Sequence, residues 1–253
     1  MPEASSIRVG NLDVRYSLEG PQGAPVVVFV HGIASSLEAW AGQAERLSDR
    51  FRVLRYDLRS HGQTSVSTQE IGRADLAKDL IGLLDALSIE RVALVGHSAG
   101  GVIAMQTAAD YPDRVSALGL VGTASECNDK TAAWYTKCIE VGRAKGGEAI
   151  MKAMAMKVGS SPTPDGEGAS HVVSAMRTLN TDPLTERLKT LSIPTWIIVG
   201  EKDFLGVGGS VILSRAIAAS ELTIVPNRGH GIYLEDPDGF AEALSEFLER
   251  VLS

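Results

Sequence analysis

The stretch that decides the fold is RVALVGHSAGGVIAM, residues 91–105. Its first five residues form an apolar run typical of a buried strand, and its last five open a run that predicts a helix. The Gly-x-Ser-x-Gly pattern between them places Ser98 on a sharp turn from strand to helix, where a serine is exposed and strained. Gly96 and Gly100 leave the space that such a turn needs. The pattern also fits a plain Gly/Ser turn, but the flanking strand and helix favour a nucleophilic serine.

The bulk composition indicates an ordinary globular protein. The chain has 253 residues, of which 44% are hydrophobic and 22% are charged. This length permits one large α/β domain or two small ones. The formal net charge of -7 leaves no basic surface for nucleic acid, so we expect a small neutral or weakly charged ligand.

The start of the chain carries neither the cationic region nor the apolar stretch of a secretory signal. No apolar run is long enough to cross a membrane, so we expect a cytoplasmic protein that does not associate with membranes. In that compartment Cys127 and Cys138 are expected to be free thiols. Association into a homo-oligomer is left open.

Apolar, β-branched runs alternate with helical patterns along most of the chain, which predicts a largely parallel sheet covered by helices on both faces. Strands are predicted at residues 6–10, 12–16, 25–30, 52–56, 91–95, 115–121, 194–199 and 222–225. Helices are predicted at residues 37–47, 74–87, 98–111 and 237–251.

One segment, residues 124–188, breaks this alternation. It contains no predicted strand, but has helical patterns at 131–143, 147–156 and 169–178 and a loop at 159–168. We interpret it as a helical cap inserted into a core formed by residues 1–123 and 189–253, above the sheet edge where α/β folds bind ligands. A longer crossover that touches no ligand is the alternative. Four apolar side chains are candidates for the pocket wall, although such methionines are more often core residues: Trp134, Ile139, Met151 and Met154.

A serine nucleophile needs a base, usually a histidine, and the histidine needs an orienting carboxylate. With this turn the three follow in the chain order Ser, Asp or Glu, His. Of the five histidines only His230 follows both the turn and an acid at a sheet edge, and it lies just after the last predicted strand. Asp203 is the predicted acid and Glu201 the alternative, because both follow the strand at 194–199.

The developing oxyanion needs backbone N–H donors that are already oriented. The amide of Ala99 is the first candidate, because it follows the nucleophile at a helix N-terminus. The amide of Ile33 is the second, in the loop after the strand at 25–30, where His31 is expected to hold the loop in place. Asp57 and Arg59 are expected to form a pair that stabilises a turn. No metal-ligand spacing and no phosphate or dinucleotide motif is present, so no cofactor is predicted.

Taken together, these motifs resemble the α/β-hydrolase superfamily over nearly the whole chain. The matching elements are His31-Gly32, the segment 57–62, the segment 96–101, Gly200 with Asp203, and Gly229-His230. The resemblance implies an eight-stranded, mostly parallel sheet with a helical cap after the sixth strand and a Ser-His-Asp catalytic triad. Residues 141–147 and 182–185 are similar to 3-oxoadipate enol-lactonases and their carboxylesterase-like relatives.

The expected activity is that of a serine esterase or lactonase that acts on a small carboxylic ester or lactone through an acyl-enzyme on Ser98. Related families use the same triad to hydrolyse carbon-carbon bonds of ring-cleavage products, which is a second hypothesis. A third is a ligand receptor on a hydrolase fold, with very slow turnover and a large ligand-driven shift in melting temperature. A cofactor-free perhydrolase is a further variant.

Overall fold

The computed structural model describes residues 4–154 and 162–252. Within these ranges the strands are β1 (Ser5–Val9), β2 (Leu12–Glu19), β3 (Val26–Val30), β4 (Arg52–Tyr56), β5 (Val92–His97), β6 (Val115–Val121), β7 (Thr195–Gly200) and β8 (Ser220–Val225). They form one sheet in the order β1-β2-β4-β3-β5-β6-β7-β8. The pairs β1–β2 and β2–β4 are antiparallel and the others are parallel. The predicted eight-stranded, mostly parallel sheet is confirmed.

The α-helices in the same ranges are α1 (Ala41–Leu47), α2 (Arg73–Ala86), α3 (Ala99–Asp110), α4 (Asp129–Lys145), α5 (Gly147–Ala153), α6 (Gly166–Arg177), α7 (Thr185–Leu188), α8 (Gly208–Ala216), α9 (Ile232–Glu235) and α10 (Pro237–Leu252). Helices α4 to α7 lie between β6 and β7, in the segment predicted as an insertion. None of the helices in the described ranges is long and apolar enough to cross a membrane.

The core has two layers, one on each face of the sheet. Strand β3 divides its side chains between them by alternation, because Val28 and Val30 pack on one face and Val27 and Phe29 on the other. The first layer includes α2, α3 and the helices between β6 and β7. The second includes α1 and α10, with Trp40 stacked on Phe29 at 4.7 Å between ring centroids. A strand buried on both faces explains the unbroken apolar run of residues 26–30.

Several helices differ from the sequence prediction. Helix α6 begins at Gly166, three residues earlier than predicted, because the side chain of Asp165 caps it by accepting a hydrogen bond from the Gly168 amide at 2.7 Å. Helices α7, α8 and α9 were not predicted, since α8 opens with two glycines and the other two have only four residues each. The end of the helix predicted at 147–156 and part of the loop predicted at 159–168 lie outside the described residues. Cys127 and Cys138 are not joined in a disulfide.

Candidate active site

Ser98 lies on the turn between β5 and α3, with φ 54° and ψ -118°. Positive φ is rare for a residue with a side chain, so the backbone is strained here. The neighbouring glycines permit the turn, because a Cβ at Gly96 would lie 2.3 Å from the Gly100 oxygen, and a Cβ at Gly100 would lie 2.1 Å from the Val30 oxygen. The turn is also anchored, since the Ser98 amide donates to the Val121 oxygen at 2.9 Å.

Asp203 and His230 meet at the same edge of the sheet. Asp203 lies on the turn that follows β7, and His230 lies on the loop that follows β8. His230 Nδ1 is 2.8 Å from Asp203 Oδ2, and Asp203 Oδ1 accepts a hydrogen bond from the Leu205 amide at 2.9 Å. The Asp203 side chain is 1% exposed and that of His230 is 18% exposed. When Nδ1 donates its proton to the buried carboxylate, Nε2 is the nitrogen with a free lone pair.

Gly122, at the end of β6, makes room for this pair. Its φ is +53°, and a Cβ there would lie 3.0 Å from Asp203 Oδ2 and 3.2 Å from His230 Nδ1. Any larger residue would press on the hydrogen-bonded pair. Gly122 was not among the predicted site residues, although a glycine directly after a central strand was a visible signal.

His97 is a second residue that sequence reasoning missed. Its Nε2 is 3.0 Å from the backbone oxygen of His230, and the two rings are 4.5 Å apart. Burial, and after it the neighbouring His230, hold the pKa of His97 well below its usual value, so its ring is neutral. A neutral ring with the proton on Nε2 donates to that oxygen. His97 therefore ties the end of β5 to the loop that carries His230, 133 residues later in the chain.

The loop after β3 approaches Ser98 closely, since a Cβ at Gly32 would lie 3.4 Å from the Ser98 Cβ. In the part of the chain that the structure describes, the amides of Ile33 and Ala99 have no hydrogen-bond acceptor. Ala99 is the first residue of α3, where unpaired N–H groups and the helix dipole favour a negative charge. Both amides are therefore free to donate to a ligand.

His31 holds this loop. Its Nδ1 is 2.7 Å from the Gly32 oxygen, and its Nε2 accepts from the Leu58 amide at 3.0 Å. Burial lowers the pKa of His31 to about 4, so the ring is neutral at neutral pH. The side chain that was expected to hold the loop therefore has both ring nitrogens engaged.

The predicted pair of Asp57 and Arg59 is not formed. Asp57 is fully buried, accepts from the Leu37 and Gln63 amides at 2.7 and 2.9 Å, and pairs with Arg15 at 3.2 Å. Arg59 instead pairs with Asp79 on α2. The prediction was wrong because partners distant in the sequence satisfy each charge better than a neighbour two residues away.

Two cavities open from Ser98. The small chamber has a volume of about 280 Å³, and its lining includes Ala99, Thr123, Glu126, Thr131 and Ile212. The large chamber has a volume of about 470 Å³, and its lining includes Ile33, Trp134, Met154, Phe204, His230 and Leu234. Among the described residues three line both chambers: Ser98, Tyr135 and Leu205.

Of the four predicted wall residues, only Trp134 and Met154 reach a chamber. Ile139 and Met151 line neither and are packed in the core, with Met151 fully buried. Ile139 follows Tyr135 by one turn of α4, but its side chain packs in the core and lines neither chamber. Met156 lies outside the described residues. Across the described ranges no group of three or more His, Cys, Asp or Glu side chains is arranged to hold a metal ion.

Comparison with known proteins agrees with the observed fold. A family model for the alpha/beta hydrolase fold matches residues 25–147. The structure of an esterase from Thermogutta terrifontis is 26% identical, with a TM-score of 0.84 and all of both chains covered. The enol-lactonase from Burkholderia xenovorans LB400 is 24% identical, with a TM-score of 0.87, 97% of this chain and 100% of that chain covered.

Among curated proteins, a Bacillus subtilis (strain 168) protein provisionally named 2-succinyl-6-hydroxy-2,4-cyclohexadiene-1-carboxylate synthase is 26% identical. The match covers 94% of this chain and 96% of that protein. The family model, the strand order and these neighbours agree with one another. The chain therefore has the α/β-hydrolase fold and resembles hydrolases of that superfamily.

Proposed function

We propose that the protein hydrolyses a carboxylic ester or lactone through an acyl-enzyme on Ser98. The observation that carries the proposal is the 2.8 Å contact between His230 Nδ1 and Asp203 Oδ2 beside a strained serine that lines the same cavity as His230. A neutral imidazole oriented by a buried carboxylate is the base that a serine hydroxyl needs. The esterase from Thermogutta terrifontis, 26% identical over the full chain, supports the choice of reaction class.

In the proposed mechanism His230 Nε2 takes the proton of Ser98 as Oγ attacks the carbonyl carbon. The carbonyl oxygen becomes an oxyanion and accepts from the Ile33 and Ala99 amides. His230 then gives its proton to the departing oxygen, the carbon–oxygen bond breaks, and the acyl group stays on Ser98. A water molecule, deprotonated by His230, releases the acid and restores the serine. Asp203 stays ionised throughout and stabilises the imidazolium.

The test replaces the predicted nucleophile and compares the result with replacement of a serine that has the same φ. Ser98→Ala is expected to abolish hydrolysis of a short p-nitrophenyl ester and labelling by a fluorophosphonate. Ser88 also has φ 54° but lies on the exposed turn after α2, so Ser88→Ala serves as the matched control and should retain full activity.

Asp203→Asn extends the test to the acid. It is expected to lower kcat by about 10³- to 10⁴-fold, because an amide favours the wrong imidazole tautomer. Activity that survives in Ser98→Ala, or a kcat for Asp203→Asn near the wild-type value, would refute the proposal.

A further inference from the structure

The two chambers that meet at Ser98 are unequal, and only one of them contains the base. His230 lines the large chamber and does not line the small one. During acyl transfer the leaving oxygen must lie within hydrogen-bond distance of the group that protonates it. The alcohol half of an ester is bonded to that oxygen, so it extends into the large chamber. The acyl half then extends the other way, past Ala99 into the small chamber.

The lining of the large chamber is suited to an apolar alcohol group. Trp134, Met154, Phe204 and Leu234 all contribute to its wall. Phe204 is 58% exposed and Leu234 is 63% exposed, and both line this chamber. Exposed apolar side chains that share one surface often mark a binding site. The Phe204 ring also stands edge-on to His230, at 4.7 Å between centroids. An apolar group bound beside the base would cover these side chains.

The lining of the small chamber is suited to a short acyl group. Its volume of about 280 Å³ is smaller than the volume of about 470 Å³ of the other chamber. Thr123, Glu126 and Thr131 bring polar groups to its wall, and Ile212 from α8 contributes an apolar side. A long alkyl chain would lie against these polar groups and remove water from them without replacing its hydrogen bonds.

The two chambers share Tyr135 and Leu205 as a common wall, with Ser98 at their junction. In a lactone the leaving oxygen stays tethered to the acyl chain, so a small ring uses one chamber and leaves the other empty. An open-chain ester has two separate halves and uses both.

From this partition we infer that the preferred substrate class is an open-chain ester with a short acyl group and a bulky apolar alcohol, selected by the walls of the two chambers on either side of Leu205. The inference rests on the proposed function. It assigns a specificity-determining role to Ile212 on the acyl side and to Phe204 on the alcohol side.

The experiment measures kcat/KM by pH-stat for three substrate series, each value divided by the alkaline hydrolysis rate of the substrate. The first series varies the acyl group, as ethyl acetate, butyrate and octanoate. The second varies the alcohol, as ethyl, butyl and benzyl acetate. The third consists of γ-butyrolactone and δ-valerolactone. Each is measured with wild type, Ser98→Ala, Ile212→Trp, Phe204→Ala and Val211→Trp.

The wild type is expected to prefer benzyl over ethyl acetate by about tenfold or more, since a few well-packed methylene-sized groups carry that much discrimination. Octanoate and both lactones should be poorer substrates than butyrate. Ile212→Trp should lower kcat/KM for ethyl butyrate relative to ethyl acetate by about tenfold and leave the preference for benzyl acetate unchanged. Phe204→Ala should reduce only the benzyl preference. Val211 is also half-buried on α8 but lines neither chamber, so Val211→Trp should match the wild type.

The outcomes separate the two proposals. If hydrolysis depends on Ser98 but octanoate or a lactone is the preferred substrate, the inference is overturned and the proposed function stands. The same holds if Ile212→Trp alters the alcohol preference. If Ser98→Ala hydrolyses every substrate as well as the wild type does, or if the wild type hydrolyses none of them, the proposed function and the inference are both overturned.

Discussion

Replacing Gly122 by alanine should damage catalysis far more than it damages the fold. The added Cβ would lie 3.0 Å from Asp203 Oδ2 and 3.2 Å from His230 Nδ1, so the pair must shift by a few tenths of an ångström. Catalytic groups tolerate little displacement, and a shift approaching ~1 Å costs about 100-fold in rate. For this smaller movement we expect kcat to fall by about ten- to 100-fold.

The alanine also adds backbone strain, because φ at Gly122 is +53°. That strain costs about 1–2 kcal/mol, which corresponds to a fall of roughly 2–8 °C in Tm for a chain of this size. The matched control is Gly10→Ala, since Gly10 has φ +56° and a Cβ there would meet no atom within 4 Å. Both variants therefore carry similar strain, and only one of them disturbs the Asp203–His230 pair.

The assay combines thermal melts with kcat for the best ester substrate at a temperature where both variants are fully folded. We expect similar losses in Tm and a large loss of kcat for Gly122→Ala alone. If the two variants have equal kcat, the close approach of Gly122 to the pair has no catalytic consequence and the reasoning fails.

Three further outcomes follow from the structure. His97→Phe should lower kcat about tenfold at unchanged KM, because the hydrogen bond to the His230 backbone oxygen is lost. His97→Gln keeps an N–H donor and should recover most of the lost kcat, so equal defects in both variants would contradict this role. Met151→Ala should cost about 2–5 kcal/mol in urea unfolding without changing KM, whereas Met154→Ala should change KM; the reverse pattern would count against the wall assignment. Burial lowers the pKa of His61 to about 4, so between pH 6.5 and 4 only the unfolded chain binds a proton at this residue. The free energy of unfolding that His61 contributes therefore falls by about 1.4 kcal/mol for each unit by which the pH is lowered in this range. His61→Leu should remove that slope, and a difference from wild type that is constant between pH 7 and 5 would disprove the assignment.

The fold was predictable because its signals are local. The apolar runs at 25–30 and 91–95 and the spacing of leucines along α2 reflect burial that repeats with a fixed period. Helix α8 gave no such signal, because it opens with Gly208 and Gly209. The start of α6 depended on the Asp165 side chain, whose capping bond overrides the low helix propensity of the glycines that follow it.

The candidate site was predictable only where chain order constrains it. Ser98, Asp203 and His230 follow a known order along the chain, and the structure brings the last two within 2.8 Å. The partners of Asp57 and Arg59 depend on how distant strands and helices pack, and no local pattern encodes that packing. The same holds for Ile139 and Met151, because a helix with apolar residues on more than one face does not indicate which face lines a cavity.

The backbone conformation of Ser98 has a practical consequence for engineering. A residue with a side chain held at φ 54° costs about 1–3 kcal/mol, and glycine would adopt the same angles without that cost. Selection for heat resistance alone would therefore favour Ser98→Gly, which stabilises the chain and removes the proposed nucleophile. Libraries screened by survival at high temperature should keep this codon constant, or they will enrich stable proteins that have lost their chemistry.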